Sequence, residues 1–312
     1  MTSKTLLPAG YVPLPAHVGA GGFDHAAVHA GTGHVYVAHT ANDAVDVFDS
    51  ITRNYLFSVP DLKAVAGALV SDEANLVFSS NRGENTVAIF PPGPDPRVVK
   101  VSVGMGPNGL AYDHSRKLLL AANVGDAATA GSRTLTMVDV EARKLRCSIP
   151  VPGRTRWTVF DPEQQLFFVN IADPAVIAVV EAAEPEALAY MYAIPAAGPH
   201  GLDFDPDTRR LFCACDAGSL VTLEAHTGRV LSERPLSGTP DVIFFNRKLC
   251  QLYVAVGDPG VIDVFDTRTM KNLERIETEK GAHTLALDVP GDCLYAFLPG
   301  TCRAEIYRID RV

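Results

Sequence analysis

The stretch Leu202-Asp-Phe-Asp-Pro-Asp-Thr-Arg-Arg-Leu-Phe-Cys-Ala214 carries the pattern that decides the fold. It joins a short apolar alternation to an aspartate at position 205, a polar turn and a second apolar run from Leu211. Such a unit predicts two short strands joined by a tight turn. The same pattern recurs with a marker residue at the aspartate position, in clear copies at Asp113, Asp161 and Asp288 and in weaker copies at His29, Ser71 and Asn246.

The spacing of these copies predicts the architecture. The position five residues before each marker recurs every 41 to 48 residues. These equivalent positions are Asp24, Ala66, Asn108, Arg156, His200, Asp241 and His283. Each unit continues into further apolar segments, such as residues 44–49 and 98–103. Four short strands in each of seven units predict an all-β fold, a seven-bladed β-propeller with blade starts near those seven positions.

The last unit is short by one strand, which predicts how the ring closes. Only 30 residues remain from His283 to Val312, enough for three strands. Residues 10–19 resemble the fourth strands of other units, and we expect them to complete the last blade. A blade completed from the other end of the chain leaves no open sheet edge. The prediction is a single domain over residues 1–312.

Composition narrows the classes of partner. The chain is 47% hydrophobic and 20% charged, which excludes a disordered protein. Its net charge of −9 argues against nucleic acid as a partner. No apolar run is long enough for a membrane helix, and the N-terminus lacks a secretory signal. We therefore expect a cytoplasmic protein without a membrane partner, or a periplasmic one if a leader was trimmed, and the six cysteines show no paired framework.

The seven equivalent positions are expected to meet at one mouth of the central channel. Four of them, from consecutive blades, are ionisable: His200, Asp241, His283 and Asp24. Imidazole and carboxylate ligands together suit a divalent Zn, Fe, Mn or Ni ion, so these four residues are the predicted metal ligands. A metal-free version uses His200 or His283 as general base with Asp241 or Asp24 orienting it. His200, His283 and Asp241 are the predicted catalytic residues in either version.

Other residues are predicted to contact a substrate. Arg156 would hold a carboxylate or phosphate through its guanidinium, which predicts a small anionic molecule as partner. Asn108 lies at the next equivalent position, and Trp157 would wall the pocket. The loops between second and third strands should form a second tier at the same mouth, including His39, Asp216 and residues 81–84. The alternative is that all of these are ordinary polar strand starts without activity.

The repeat resembles the seven-bladed YVTN-type propellers, the YncE-like family. The matching motifs cover essentially the whole chain and are Gly22-Phe-Asp-His25, His34-Val-Tyr-Val-Ala-His39, Val45-Asp-Val-Phe-Asp49, Pro199-His-Gly-Leu202, Arg210-Leu-Phe212 and Gly281-Ala-His-Thr-Leu-Ala-Leu-Asp288. The resemblance implies the propeller fold. It implies no single chemistry, because similar propellers serve as lactonases, lyases and cofactor-carrying subunits.

Two functions follow as expectations. The first is a lactonase-like hydrolase or lyase for a small molecule, with a metal or a His/Asp acid–base site at the channel mouth. The second is a non-catalytic propeller that binds a ligand or a protein partner. Lactone ring opening is the first reaction to assay, because an activated water attacking a polarised carbonyl needs the fewest groups.

Overall fold

The protein is a ring of seven four-stranded antiparallel sheets. The computed structural model describes residues 5–310. Within this range each sheet is one blade, and in six blades the strands pair in the order in which they occur along the chain. The predicted all-β, seven-bladed propeller is confirmed. A 3₁₀ turn at Thr40–Asn42 is the only helical segment among the described residues.

The strands are numbered in chain order. The first is β1 (Leu6–Pro13), which belongs to blade 7. Blade 1 comprises β2 (Phe23–His29), β3 (His34–His39), β4 (Ala44–Asp49) and β5 (Asn54–Val59). Blade 2 comprises β6 (Val65–Ser71), β7 (Leu76–Asn81), β8 (Thr86–Phe90) and β9 (Val99–Ser102). Blade 3 comprises β10 (Pro107–Asp113), β11 (Leu118–Asn123), β12 (Thr134–Asp139) and β13 (Lys144–Pro150).

The remaining blades continue in the same way. Blade 4 comprises β14 (Thr155–Asp161), β15 (Leu166–Ile171), β16 (Val176–Glu181) and β17 (Tyr190–Ala193). Blade 5 comprises β18 (Pro199–Asp205), β19 (Arg210–Cys215), β20 (Ser219–Glu224) and β21 (Val230–Pro235). Blade 6 comprises β22 (Thr239–Asn246), β23 (Gln251–Asp258), β24 (Val261–Asp266) and β25 (Lys271–Glu277). Blade 7 comprises β26 (Thr284–Asp288), β27 (Cys293–Leu298), β28 (Arg303–Ile309) and β1.

The marker aspartates hold the turn between the first and second strands of a blade. The Asp205 carboxylate accepts hydrogen bonds from the backbone N–H groups of Asp207 (3.0 Å) and Thr208 (3.3 Å). Arg209, at the end of this turn, has a left-handed φ of 55°. An aspartate that bonds to its own backbone two residues on stabilises such turns. The sequence marker is therefore a turn residue rather than a functional one.

The hydrophobic core lies between blades rather than at the centre of the ring. Each pair of neighbouring blades encloses its own apolar cluster. Leu211 of blade 5 packs with Phe168 of blade 4, for example, and Phe48 of blade 1 meets Tyr295 of blade 7 with ring centroids 5.2 Å apart. Burial of this apolar surface is the main favourable contribution to folding. An open channel is left along the ring axis.

The N-terminal strand closes the ring, but not with the predicted residues. Strand β1 pairs antiparallel with β28 over Leu6–Pro13. Residues 14–19 of the predicted 10–19 segment lie outside the strand. Leu6 and Val12 are buried in the core, whereas the prolines at 13 and 15 lack the N–H that a longer ladder needs.

Candidate functional site

The inner strand of each blade starts at one mouth of the channel, here called the upper mouth. In blades 1 to 6 the pairing of the inner strand shifts register near its start. Such bulges redirect side chains and are common beside functional sites. His200 and Asp241 lie within these irregular starts, and His283 immediately precedes β26.

His200 is held between two carboxylates. Its Nδ1 lies 2.7 Å from Asp216 Oδ1, and its Nε2 lies 3.2 Å from Asp241 Oδ1. The His200 side chain is 14% exposed. The blade 5 loop supplies Asp216, which the sequence analysis placed only in the second tier. The structure therefore brings together His200 and Asp241 as predicted neighbours and adds a second carboxylate.

These contacts fix the charges of the three groups. Burial lowers the pKa of His200, but the charge of Asp241 and the hydrogen bonds to Asp216 and Asp241 outweigh it and raise that pKa to about 9. Burial opposes ionisation of Asp241, but the His200 charge and its hydrogen bond hold the pKa of Asp241 well below its usual range. The pKa of Asp216 is also lowered, against burial, by the hydrogen bond and charge of His200. At neutral pH, His200 is an imidazolium between two carboxylates.

His283 lies on the other side of Asp241. Its Nε2 is 4.0 Å from Asp241 Oδ2, and the side chain is 36% exposed. Its Nδ1 donates to the carbonyl oxygen of Gly281 at 2.7 Å. This bond leaves Nε2 as the nitrogen with the lone pair in the neutral ring. His200, Asp241 and His283 line a cavity of about 410 Å³, together with Lys280. We call this cavity, together with His200, Asp241 and His283, the upper site.

Arginines lie beside the upper site. Arg156 places one guanidinium nitrogen 3.1 Å from His200 Nε2 and the other 3.2 Å from Asp216 Oδ2. Arg154 is exposed at the rim. Partial desolvation and the charges of Arg156 and Arg82 lower the Arg154 pKa, so these three positive charges lie close together. The Arg154 side chain makes no hydrogen bond or ion pair with any residue between 5 and 310, whereas its backbone carbonyl oxygen accepts from the N–H of Ala172 at 2.8 Å.

Sequence reasoning missed Arg154, although one signal was available. Two arginines alternate at 154 and 156 across the start of an inner strand. Arg82, within the second-tier residues 81–84, donates from the same nitrogen to Asp24 Oδ2 (3.0 Å) and to Asn108 Oδ1 (2.6 Å). Asp24 therefore belongs to a second group of contacts around Arg82, separate from the contacts of His200.

The donor set does not fit the predicted metal site of His200, His283, Asp241 and Asp24. Both ring nitrogens of His200 lie within about 3.2 Å of carboxylate oxygens, so neither is directed at an open position for a metal. Asp24 is engaged by Arg82 and by His25 Nε2 at 3.3 Å. Within residues 5–310, no group of three or more His, Cys, Asp or Glu side chains is placed to hold a metal ion.

Two of the side chains predicted to contact a substrate are buried and already partnered in the structure. His39 is 0% exposed, with Nδ1 2.6 Å from Asp46 and Nε2 2.6 Å from His17. It lies within blade 1 and cannot reach a ligand in the channel. Asn108 is 7% exposed and positions Arg82 rather than contacting a substrate.

Trp157 lies in the channel but does not line the upper site. Its ring packs against His25 in a tilted arrangement, with centroids 4.0 Å apart. Gly67 and Gly201 occupy the position in their blades that Trp157 occupies in blade 4. The backbone of the neighbouring blade lies close to this position, since a Cβ on Gly201 would be 2.2 Å from the Asp241 carbonyl oxygen. Two large side chains among such glycines reach across the axis. The His25–Trp157 pair thus separates the upper site from a second cavity below it.

Comparisons with known proteins support the fold and leave the chemistry open. No family model matches the chain, and a search of curated protein sequences gives no significant match. Among solved structures, the chain is similar to a chain of Kuenenia stuttgartiensis hydrazine synthase, with a TM-score of 0.82. The match covers 95% of this chain and 99% of that one at 14% identity. Similarity at this level of identity shows the seven-bladed propeller fold alone. No helix in residues 5–310 is long and apolar enough to cross a membrane.

Proposed function

We propose that the protein is a lactonase-like hydrolase for a small anionic molecule, with the upper site as its active site. One observation carries this proposal. A single carboxylate, Asp241, separates a histidine that is protonated at neutral pH from a histidine with a free nitrogen facing the same cavity. A general base beside a fixed positive charge is the pair that ester hydrolysis needs.

His283 is the general base in this proposal. The hydrogen bond from Nδ1 to Gly281 orients the ring, and Asp241 beside it stabilises the imidazolium that forms. The gap of 4.0 Å between His283 Nε2 and Asp241 Oδ2 is too long for a direct hydrogen bond. Nε2 is therefore available to a water molecule in the cavity.

Positive charge on the opposite side binds and stabilises negative charge. His200 and Arg156 would stabilise the oxyanion that develops on the lactone carbonyl oxygen. Arg154, which has a free guanidinium at the rim, would bind a carboxylate of the substrate. The small anionic substrate thus follows from the charges that surround the cavity rather than from the chain's net charge.

The reaction balances with these groups alone. His283 takes a proton from water, and the hydroxide adds to the lactone carbonyl carbon. The tetrahedral intermediate collapses with cleavage of the ring C–O bond. The protonated His283 returns its proton to the departing alkoxide oxygen, and the product is a hydroxy acid. A lyase would use the same His283 to remove a carbon-bound proton, and this alternative is kept as an arm of the test below.

The finer family and location assignments also belong to this proposal. Membership of the YVTN-type, YncE-like propellers is supported by the motifs quoted above, and the cytoplasmic location stays a prediction. The alternative function is a non-catalytic propeller that binds a small anion or a protein partner through the same charged mouth.

A lactone-hydrolysis assay tests the proposal. Proton release is measured with a γ-lactone that carries a carboxylate and with its uncharged methyl ester, and β-elimination is followed in parallel. We expect turnover with a preference for the charged lactone. His283→Gln should lower kcat by about 10²- to 10⁴-fold, because it removes the general base. His226→Gln, an exposed histidine on the outer side of blade 5, should leave kcat unchanged.

Three results would contradict the proposal. Full activity in His283→Gln would remove this residue as the base. Saturable binding of the carboxylate without turnover of any lactone would favour the non-catalytic alternative. A stoichiometric metal in protein purified without a polyhistidine tag, lost in a His200→Ala, His283→Ala double variant, would favour the metal-dependent version.

A further inference from the structure

The larger cavity of the channel lies below the His25–Trp157 pair and is here called the lower chamber. Its volume is about 580 Å³, within the range of small-molecule sites. Inner-strand residues of blades 1 to 6 form its walls. Most of these are apolar, such as Leu110, Val159 and Ile243. The chamber opens on the face opposite the upper mouth, between the turns that join first and second strands.

Two carboxyl groups line the chamber, Glu73 near the opening and Asp203 within the inner-strand wall. Asp203 lies two residues before the marker of blade 5 and lines the chamber. The equivalent positions of the other six blades hold only apolar residues: Ala27, Leu69, Ala111, Val159, Phe244 and Ala286. The blade fold therefore does not require an aspartate at this position, because the other six blades form without one.

Asp203 has no positively charged partner in the described part of the chain. Its Oδ1 accepts from the backbone N–H of Phe204 at 2.7 Å, and its Oδ2 accepts from that of Phe245 at 2.6 Å. No lysine, arginine or histidine between residues 5 and 310 makes an ion pair with it. Burial raises the Asp203 pKa to about 7, against those two hydrogen bonds. Asp203 is partly exposed, and a carboxylate in a cavity without a counterion is a candidate for pairing with a bound cation.

The other charged groups of the lining do not neutralise Asp203. Arg247 at the rim is tied to Asp207. Glu73 and His114 face each other at 3.8 Å near the opening, and Asp205 adds further negative charge near Asp203. His25 directs Nε2 to Asp24, 3.3 Å away on the upper side. None of these surrounding groups therefore supplies a positive charge that pairs with Asp203.

We propose that the lower chamber binds a small apolar ammonium compound, whose cation pairs with Asp203 and whose hydrocarbon body packs against the apolar wall. An anion is disfavoured by Asp203, and a neutral hydrocarbon leaves that carboxylate unpaired. The aromatic rings of Trp157 and Phe244, with centroids 6.3 Å apart, add faces that attract a cation. This site is independent of the hydrolase proposed for the upper site.

The sole tryptophan of the chain makes the chamber directly observable. Trp157 forms the roof of the chamber, so its fluorescence reports occupancy. The probes are cyclohexylmethylamine, its neutral counterpart cyclohexylmethanol and the anion cyclohexanecarboxylate, titrated at about pH 8, where Asp203 is ionised. We expect the amine to bind at least about tenfold more tightly than the alcohol and the carboxylate to bind most weakly.

A substitution and a pH series locate the charge. In Asp203→Asn the amine and the alcohol should bind with equal affinity, whereas Glu233→Gln, on the outer strand of the same blade, should retain the wild-type ratio. Circular dichroism confirms that each variant is folded. If Asp203→Asn does not fold, the wild type still gives an answer, because lowering the pH from about 8 to 5 should weaken amine binding and leave alcohol binding unchanged.

Equal affinities for amine and alcohol in the wild type would overturn the proposal. An unchanged ratio in folded Asp203→Asn would overturn it as well. Loss of lactone hydrolysis without loss of amine binding would count against the upper site only, so the two proposals fail separately.

Discussion

The upper site and the lower chamber are two parts of one channel, and they differ in whether their charged side chains have partners of opposite charge. In the upper site, His200 and Asp241 each have a partner of opposite charge within about 4 Å, as His200 has in Asp216 and Asp241. In the lower chamber Asp203 has two backbone hydrogen bonds and no counterion among the described residues. A balanced cluster suits chemistry that moves protons, whereas an unbalanced charge suits recognition of an opposite charge.

The physical separation depends on the His25–Trp157 pair. Burial lowers the pKa of His25 most strongly, although Asp24 and Asp241 oppose the shift. A neutral imidazole packed against an indole lies between the charged upper site and the mostly apolar lower chamber. The separation therefore depends on two large side chains at a repeat position where three of the seven blades have glycine.

The largest effect is expected on activity, through Asp241 in the upper site. Asp241→Asn removes the carboxylate between the two histidines, and we expect kcat/KM for the carboxylated lactone to fall by about 100-fold. The alkaline limit of activity should also move below pH 9, because the Asp241 charge is the largest contribution that raises the His200 pKa. A pH–rate profile measures both effects. Arg97→Gln, on an exposed outer loop, is the control, and an unchanged alkaline limit would show that Asp241 does not hold the charge of His200.

A smaller effect is expected on the free energy of unfolding, through Asp203 in the lower chamber. The Asp203 pKa is raised to about 7 in the folded protein from 3.8, so its contribution to stability is lost as the pH rises from 4 to 7. Relative to Asp203→Leu, the wild type should lose at most about 1.4 kcal/mol per pH unit in this window. Denaturant unfolding of both proteins at several pH values measures the difference. A difference that does not vary with pH would mean that Asp203 is ionised throughout.

The smallest effect is expected for His200, because its side chain retains some contact with solvent. Its pKa is raised to about 9 in the folded protein from 6.5, so the stabilisation is complete below pH 6.5 and is lost as the pH rises through 9. Relative to His200→Gln, the wild type should lose under about 1 kcal/mol per pH unit between 6.5 and 9. The same unfolding series extended to alkaline pH tests this. Loss in the acid window instead would contradict an imidazolium between two carboxylates.

The sequence alone determined the repeat, the number of blades and the positions that face the channel. The markers predict turns because an aspartate side chain bonds to the backbone two or three residues on, which is a local property. His200, Asp241 and His283 could be grouped because equivalent positions of a ring must meet at one mouth. The closing strand was misplaced by a few residues, since the end of a β ladder depends on pairing with a distant segment.

Only the tertiary structure decided which polar residues are available for chemistry. His39 and Asn108 looked like site residues, but their partners, His17 and Arg82, come from distant positions in the chain. The sequence likewise showed Trp157 without showing that it packs against His25 from a blade across the channel. Partner choice, burial and charge balance depend on distances between separate blades, and a one-dimensional pattern does not contain those distances.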